Sequence, residues 1–312
     1  GANEILALTF TEKASNEMTE RIDESMPLSY EEICIKTFHG FCERVLRESG
    51  LEIGVDPGYK ILTQVEQWFF FKKNLFKFDL NYYRPLGNPN SFIYALLGHF
   101  NKLKDELVEP DEYIGHAEKI EGEEGEKMLE VAKAYKKYQE LMIEKNYLDF
   151  GDLIFYTLKL LSKRESVLKQ YKERYKYILV DEFQDTNYSQ YALVKLIAGD
   201  HRNLVVVGDD DQSIYKWRGA SLSNILQFDN DFSGAKKVVL TENYRSAKSI
   251  LDASYELVQN NNPDRLEARD GISKKLNSNR DGDEKVECHD FPTFLEEAEF
   301  IASEIKKLQS SG

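Results

Sequence analysis

A chain of 312 residues is longer than one ordinary domain and has room for about two, each with its own core. With 41% hydrophobic residues and no unbroken apolar run of bilayer length, it reads as soluble and globular, with no membrane partner. A net charge of −14 argues against a protein that coats nucleic acid electrostatically, although a locally basic groove lined by aromatics can still hold a strand.

In chain order, Gly1-Ala2-Asn3 runs without Met straight into an apolar stretch, residues 5–10, which predicts a short buried strand. So abrupt a start, with no signal-peptide pattern, is expected of a cut-out piece or a processed product. A helix over 12–22 follows, then a strand over 33–37 and a helix over 38–48. From 51 to 170 the chain is rich in Lys, Glu, Tyr and Phe and shows almost no strand signal. Met128, Val131, Ala132, Tyr135 and Tyr138 recur at helical spacing, so this stretch reads as a helical insert, with an exposed acidic turn at 121–125. Strands are predicted again at 177–180, 204–207 and 238–240, with a helix over 189–197. A polar segment, 260–283, precedes a last strand at 285–289 and a helix over 293–307. Strands alternating with helices imply a parallel sheet wound with right-handed crossovers. Cys34, Cys42 and Cys288 are scattered with no CxxC pair, which points to a reduced, cytoplasmic setting and to neither disulfides nor zinc.

Three segments carry chemistry. Residues 178–185 feed an apolar strand into Asp181 and Glu182, at the sheet edge where ligands of open α/β sheets gather. In a nucleotide hydrolase, a first carboxylate there holds Mg²⁺ and a second orients or deprotonates the attacking water. An acidic helix N-terminus is the plain alternative. Residues 205–219 end another strand in three aspartates, Gln212, Tyr215, Trp217 and Arg218. The Gln212 amide suits a phosphate oxygen, and the two aromatics suit stacking on bases; a solvated turn beside a core Trp is the alternative. In residues 240–245, Tyr244 followed by Arg245 suits a purine face and a transferring phosphoryl group, against an ordinary surface ion pair.

Together these strings resemble the superfamily 1 DNA helicases of the UvrD/Rep/PcrA type. The matches are Val-Asp-Glu-Phe-Gln-Asp-Thr-Asn at 180–187, Val-Gly-Asp-Asp-Asp-Gln-Ser-Ile-Tyr-Lys-Trp-Arg-Gly-Ala at 207–220 and Asn-Tyr-Arg-Ser at 243–246. Upstream, residues 8–14 with Glu17 and Met18, and residues 37–42, resemble the family's first two DNA-contacting motifs. Residues 148–153 resemble the segment where the inserted domain rejoins the core. The resemblance implies an α/β fold: a parallel-sheet RecA-like motor core split over 1–50 and 171–250, an inserted helical subdomain over 51–170, and a linker with the truncated start of a second motor domain over 251–312. It implies ATP and Mg²⁺ as cofactors, with Asp181 on the metal, Glu182 as catalytic base, Gln212 and Arg245 on the γ-phosphate and Tyr244 on adenine. It also implies Thr9, Phe10, Thr37, His39, Tyr215 and Trp217 along a single-stranded DNA track, with Arg218 linking track to nucleotide. The implied activity is that of a 3′-to-5′ helicase acting on single strands or single-strand/duplex junctions, with unidentified repair or replication partners.

The chain departs from the family in four respects. No Gly-x-x-x-x-Gly-Lys-[Ser/Thr] string occurs in it, nor do the later motifs of the second motor domain, so the fragment alone is expected to be inactive as an ATPase. Glu12 stands where Asn is common, and Gly151 where Asp is common. A non-hydrolysing pseudo-helicase that binds DNA or a protein is the competing reading. A two-metal nuclease built on Asp181, Glu182 and residues 209–211 is the third.

Overall fold

The computed structural model of the chain describes residues 1–25, 32–213, 222–282 and 285–311, with the side chains of 222–224 and 226 left out. They form two compact units, Gly1–Ala235 and Lys236–Gly312. In the first unit, β1 (Ile5–Thr9), β2 (Cys34–Thr37), β5 (Tyr177–Val180) and β6 (Leu204–Val206) make a parallel sheet in the order β2-β1-β5-β6. The predicted strands 5–10, 33–37, 177–180 and 204–207 therefore hold, within a residue at their ends. The register pairs Thr9 with Thr37 and Leu8 with Val180, so these strands end together at one carboxyl edge.

Helices α1 (Glu12–Ser25), α2 (Phe38–Ser49) and α9 (Tyr188–Ala198) follow β1, β2 and β5, and α10 (Leu222–Asp231) follows β6. Between β2 and β5 run α3 (Gln64–Lys73), α4 (Ile93–Asp105), α5 (Pro110–Ala117), α6 (Glu123–Glu144), α7 (Phe150–Lys163) and α8 (Glu165–Arg174). Two cores result. In one, Leu6, Phe41, Leu160, Tyr175, Ile178 and Phe183 pack α2, α7, α8 and α9 on the sheet. In the other, Phe71, Phe78, Phe100, Tyr135 and Tyr138 pack α3, α4 and α6 on one another, with the Phe71 and Phe78 rings stacked at 4.1 Å.

Two expectations within this stretch change. A two-residue parallel ladder joins β3 (Lys60–Ile61) to β4 (Tyr147–Leu148); it is too short to leave an alternating pattern in the sequence. The acidic turn shrinks to Glu121 and Gly122, because α6 starts at Glu123 and its negative first turn suits the positive end of the helix. Gly125 is buried in that turn: a Cβ there would lie 1.8 Å from the Ile120 carbonyl oxygen, so no other residue fits without moving backbone.

The second unit holds β7 (Glu242–Asn243), α11 (Lys248–Val258), α12 (Leu266–Asp270), β8 (Asn277–Ser278) and α13 (Phe294–Ser311). The strands expected at 238–240 and 285–289 do not form among the described residues. Among the described residues of this unit the only ladder pairs β7 with β8, so those runs find no strand partner there and Val238 and Leu240 stay exposed. The helix expected over 293–307 forms as α13. No helix among the described residues is long and apolar enough to cross a membrane.

Candidate functional site

The carboxyl edge of the sheet is where backbone groups run out of ladder partners and side chains can converge. Asp181 continues β5 by one residue, its N–H donating to the Leu8 carbonyl at 3.0 Å, so its carboxylate sits beside the end of β1. Burial first, and the neighbouring Glu182 charge second, raise the Asp181 pKa above the ordinary carboxylate value.

Glu182 then takes a left-handed backbone, φ 50° and ψ 46°, a conformation that costs a non-glycine residue about 1–2 kcal/mol. Its surroundings over-determine it. Phe183 N–H donates to the Val207 carbonyl at 2.8 Å, Val207 N–H donates back to the Val180 carbonyl at 2.9 Å, and the Phe183 ring is fully buried against Tyr191 and Phe228. Strain held this firmly is a feature of working sites.

Gln184 is buried and bridges two loops. Its Nε2 donates to Glu182 Oε2 at 2.6 Å, and its Oε1 accepts the Asp209 N–H at 3.0 Å. Gly208 permits this approach: a Cβ there would lie 2.9 Å from Gln184 Oε1 and 3.3 Å from its backbone nitrogen. Asp185 adds a third carboxylate. Its Oδ1 is buried with no hydrogen-bond partner among the described residues, and burial together with Glu182 raises its pKa. Asn187 closes the loop by capping α9, its Oδ1 accepting Gln190 N–H at 2.9 Å and the Ser189 hydroxyl at 3.0 Å. Sequence reasoning passed over Gln184, Asp185 and Asn187, although all three lie inside the 180–187 string.

Across the bridge, Asp209 accepts the Asp211 N–H at 3.2 Å through Oδ1 and the Gln212 Nε2 amide at 2.9 Å through Oδ2. Gln212 is exposed, so its amide can leave Asp209 for another oxygen at little packing cost. The carboxylates of Asp209, Asp210 and Asp211 lie within 4.8 Å of one another. Tyr215, Trp217 and Arg218 lie outside the described residues.

On the other side of Asp181, Thr9 and Thr37 end neighbouring strands. The Thr9 hydroxyl donates to the Thr11 carbonyl at 3.2 Å, and its side chain is buried. Thr37 caps α2, accepting Gly40 N–H at 3.1 Å and donating to Glu12 Oε1 at 2.9 Å. Glu12, standing where Asn is common in the family, is thus a local hydrogen-bond acceptor. Phe10 is half-buried beside them. His39 lies edge-on to Phe150 at 5.7 Å; burial lowers its pKa, with Glu12 opposing, so its ring is neutral at pH 7.

In the second unit, the Asn243 side chain builds the turn that presents Tyr244 and Arg245. Its Oδ1 accepts the N–H groups of Arg245 at 3.0 Å and Ser246 at 2.8 Å. Arg280 donates to the Arg245 carbonyl at 3.0 Å, and the Ser278 hydroxyl to that of Ser246 at 2.8 Å. The backbone is tied while Tyr244 is 77% exposed.

The donor set at the 181–185 loop is all carboxylate oxygen, which fits a hard cation such as Mg²⁺, and the orphaned Asp185 oxygen fits a metal-bound water. A parallel sheet carrying strand-end carboxylates, a bridged acidic turn and threonine-ended neighbouring strands places the first unit in the RecA-like α/β class. Residues 1–233 match the UvrD/REP helicase N-terminal domain and residues 238–312 the UvrD-like helicase C-terminal domain. The chain belongs to the UvrD/REP helicase family. It is 38% identical over 308 residues to the ATP-dependent DNA helicase PcrA of Staphylococcus epidermidis, covering 99% of this chain and 40% of that protein. To the protein of the same name in Bacillus subtilis strain 168 it is 38% identical over 309 residues, covering 99% and 39%. The chain therefore spans about two fifths of the length of the curated relatives it matches.

Proposed function

We propose that the full-length product of this gene is an ATP-dependent DNA helicase or translocase that moves 3′ to 5′ along single-stranded DNA or from a single-strand/duplex junction. The observation that carries this reading is Asp181 beside Glu182 at the sheet edge, with Gln184 tying Glu182 to the Asp209 loop. The polarity rests on the family resemblance, as do the repair or replication partners.

In this reading Asp181, with Asp185 nearby in the loop, would hold Mg²⁺, and the bound ion would supply positive charge to the phosphates. Glu182 is the general base for the attacking water: its left-handed backbone and the Gln184 bond fix one carboxylate oxygen and leave the other to accept a proton. Gln212 exchanges its bond to Asp209 for a γ-phosphate oxygen, and the Gln184 bridge carries that change back to Glu182. Arg245 supplies positive charge to the γ-phosphate and Tyr244 a stacking face to adenine. Thr9, Phe10, Thr37, His39, Tyr215 and Trp217 make the strand track, and Arg218 joins it to the nucleotide. Residues 1–312 alone do not turn over ATP, because no phosphate-cradling glycine-rich string occurs among them.

The test is DNA-stimulated ATPase activity of the full-length product and its Glu182→Gln variant. Loss of a positioned base should cost about 10²–10⁴-fold in kcat with little change in ATP binding. Wild-type turnover retained by Glu182→Gln refutes the assigned base. Absence of DNA-stimulated turnover in the full-length product, with strand binding intact, replaces the motor by the non-hydrolysing pseudo-helicase.

A further inference from the structure

Lys104, near the end of α4, is a fully buried ammonium, and the structure gives it two fully buried carboxylates: Asp149 at 2.6 Å and Asp152 at 2.7 Å. Asp149 is the N-cap of α7 and Asp152 its third residue, so the pair also closes a reciprocal capping box. Each carboxylate accepts one bond more: the Tyr138 hydroxyl donates to Asp149 at 3.2 Å, and Gln139 Nε2 to Asp152 at 3.0 Å. Gly151 makes room for the lysine stem, since a Cβ there would lie 3.0 Å from Lys104 Cδ. Burial disfavours the Lys104 ammonium, but the two aspartates outweigh it and hold its pKa above the ordinary value. Removing one partner of so deep a cluster would strand an uncompensated buried charge.

The next residue faces a different way. Asp105 Oδ1 accepts from Asn187 Nδ2 at 2.8 Å. Asn187 is the residue that caps α9 and ends the carboxylate loop. Helix α4 packs on both α7 and α9, so two adjacent residues anchor the helical layer at two points of the sheet layer. One of those points is the exit of the loop that carries Asp181 and Glu182. Asn187 has its carbonyl oxygen committed to the cap and its amide to Asp105, so the loop end is clamped from both sides.

We infer that Lys104 and Asp105 form a joint through which the inserted helical layer sets the position of the carboxylate loop: Lys104 locks α4 to the start of α7, and Asp105 holds the Asn187 cap. Both are positioning residues; neither touches nucleotide. The inference rests on the proposed role of Glu182, yet its test is independent of ATP and DNA.

The experiment is amide hydrogen exchange over residues 181–190 in this 312-residue chain at about pH 8.5, where Asp105, its pKa raised by burial to about 7, is ionised. Asn187→Asp keeps a competent helix cap but sets two carboxylates face to face. Asp105→Ala removes the acceptor at a half-buried position, where the fold tolerates it. Each variant should speed exchange of the loop amides about tenfold, the size expected for losing a hydrogen bond to a charged group, and leave residues 71–100 unchanged. The double variant Asp105→Asn with Asn187→Asp restores a donor–acceptor pair with its direction reversed, and should return the loop to within about threefold of wild type. Unchanged exchange in both single variants overturns the joint. So does a double variant as fast as Asn187→Asp alone, or acceleration spread equally over 71–100. If exchange behaves as expected while Glu182→Gln leaves turnover intact in the full-length product, the joint stands and the role given to Glu182 falls.

Discussion

The two units use the same local signals and reach different ends. In the first, amphipathic helices close over a sheet and over each other, and dozens of side chains are buried in two clusters. In the second, α11 and α13 form with apolar stripes, yet among the described residues only Ala247 and Arg265 are buried. Phe294, Leu295, Ile301, Ile305 and Leu308 of α13 all stand in solvent. Helix formation follows from local spacing, but stability comes from a second layer to receive the stripe. The difference also separates two ways of presenting a functional residue. Glu182 is held in a strained conformation by a packed surrounding, whereas Tyr244 and Arg245 ride on an exposed turn built by the Asn243 side chain and tied only by hydrogen bonds from Arg280 and Ser278.

The widest gap between the units should appear on deleting a ring from each. Phe71→Ala removes a fully buried side chain stacked on Phe78 and should cost about 3–5 kcal/mol in urea unfolding. Phe294→Ala, at 84% exposure, should cost less than about 0.5 kcal/mol. Similar costs for the two would mean that α13 is covered in solution, and the contrast would collapse.

A smaller effect tests whether packing sustains the strain at Glu182. Gly208→Ala places a methyl 2.9 Å from Gln184 Oε1, which is pinned by Asp209. Overpacking there should cost about 2 kcal/mol and should move the Asp209 amide resonance as its bond to Gln184 lengthens. An unmoved resonance would show that the two loops are not joined through that amide.

Much of this was legible in the sequence. The strands at 5–10, 177–180 and 204–207 are unbroken apolar runs and so announced themselves, although Tyr177, Leu179 and Val205 leave one face of β5 and β6 exposed, and Asp181 and Glu182 followed from standing at a strand end. Val238–Leu240 gave the same apolar signal and formed no strand, because pairing depends on a neighbour that local sequence does not name. The joint at Lys104 was invisible for a related reason. Lysine in a helix normally reads as surface, and its partners Asp149 and Asp152 lie some 45 residues away, beyond α5, α6 and β4, along a path that only the fold decides. Gln184 and Asn187 sat in plain view inside a motif, but their work is hydrogen bonding to Asp209 and Asp105, which no spacing reveals.

Asp105 offers a pH-dependent version of the same contrast. Burial, then the charge of Glu106, push its pKa from 3.8 to about 7, against the opposing pull of Lys104, and Asp149 adds to the rise. The folded chain therefore binds this proton more tightly than the unfolded chain does. Its contribution is fully present below about pH 4 and is lost as pH climbs to about 7. Wild type should lose roughly 1–2 kcal/mol relative to Asp105→Asn across that window, less than the full shift implies because the side chain is not wholly dry. Parallel pH profiles for the two proteins would refute the shift.

The smallest effect expected is the most direct probe of the second unit. Ile301, Ile305 and Leu308 lie along one side of α13 at 49%, 51% and 70% exposure. Replacing all three with Gln keeps helix propensity nearly unchanged and removes an apolar stripe that buries nothing. Folding free energy should stay within about 0.5 kcal/mol of wild type, and self-association at high concentration should fall. A loss well beyond that value, measured by urea unfolding at low concentration where the chain is monomeric, would show that the stripe is buried in the monomer. The second unit would then have a core of its own, and its contrast with the first would be one of degree.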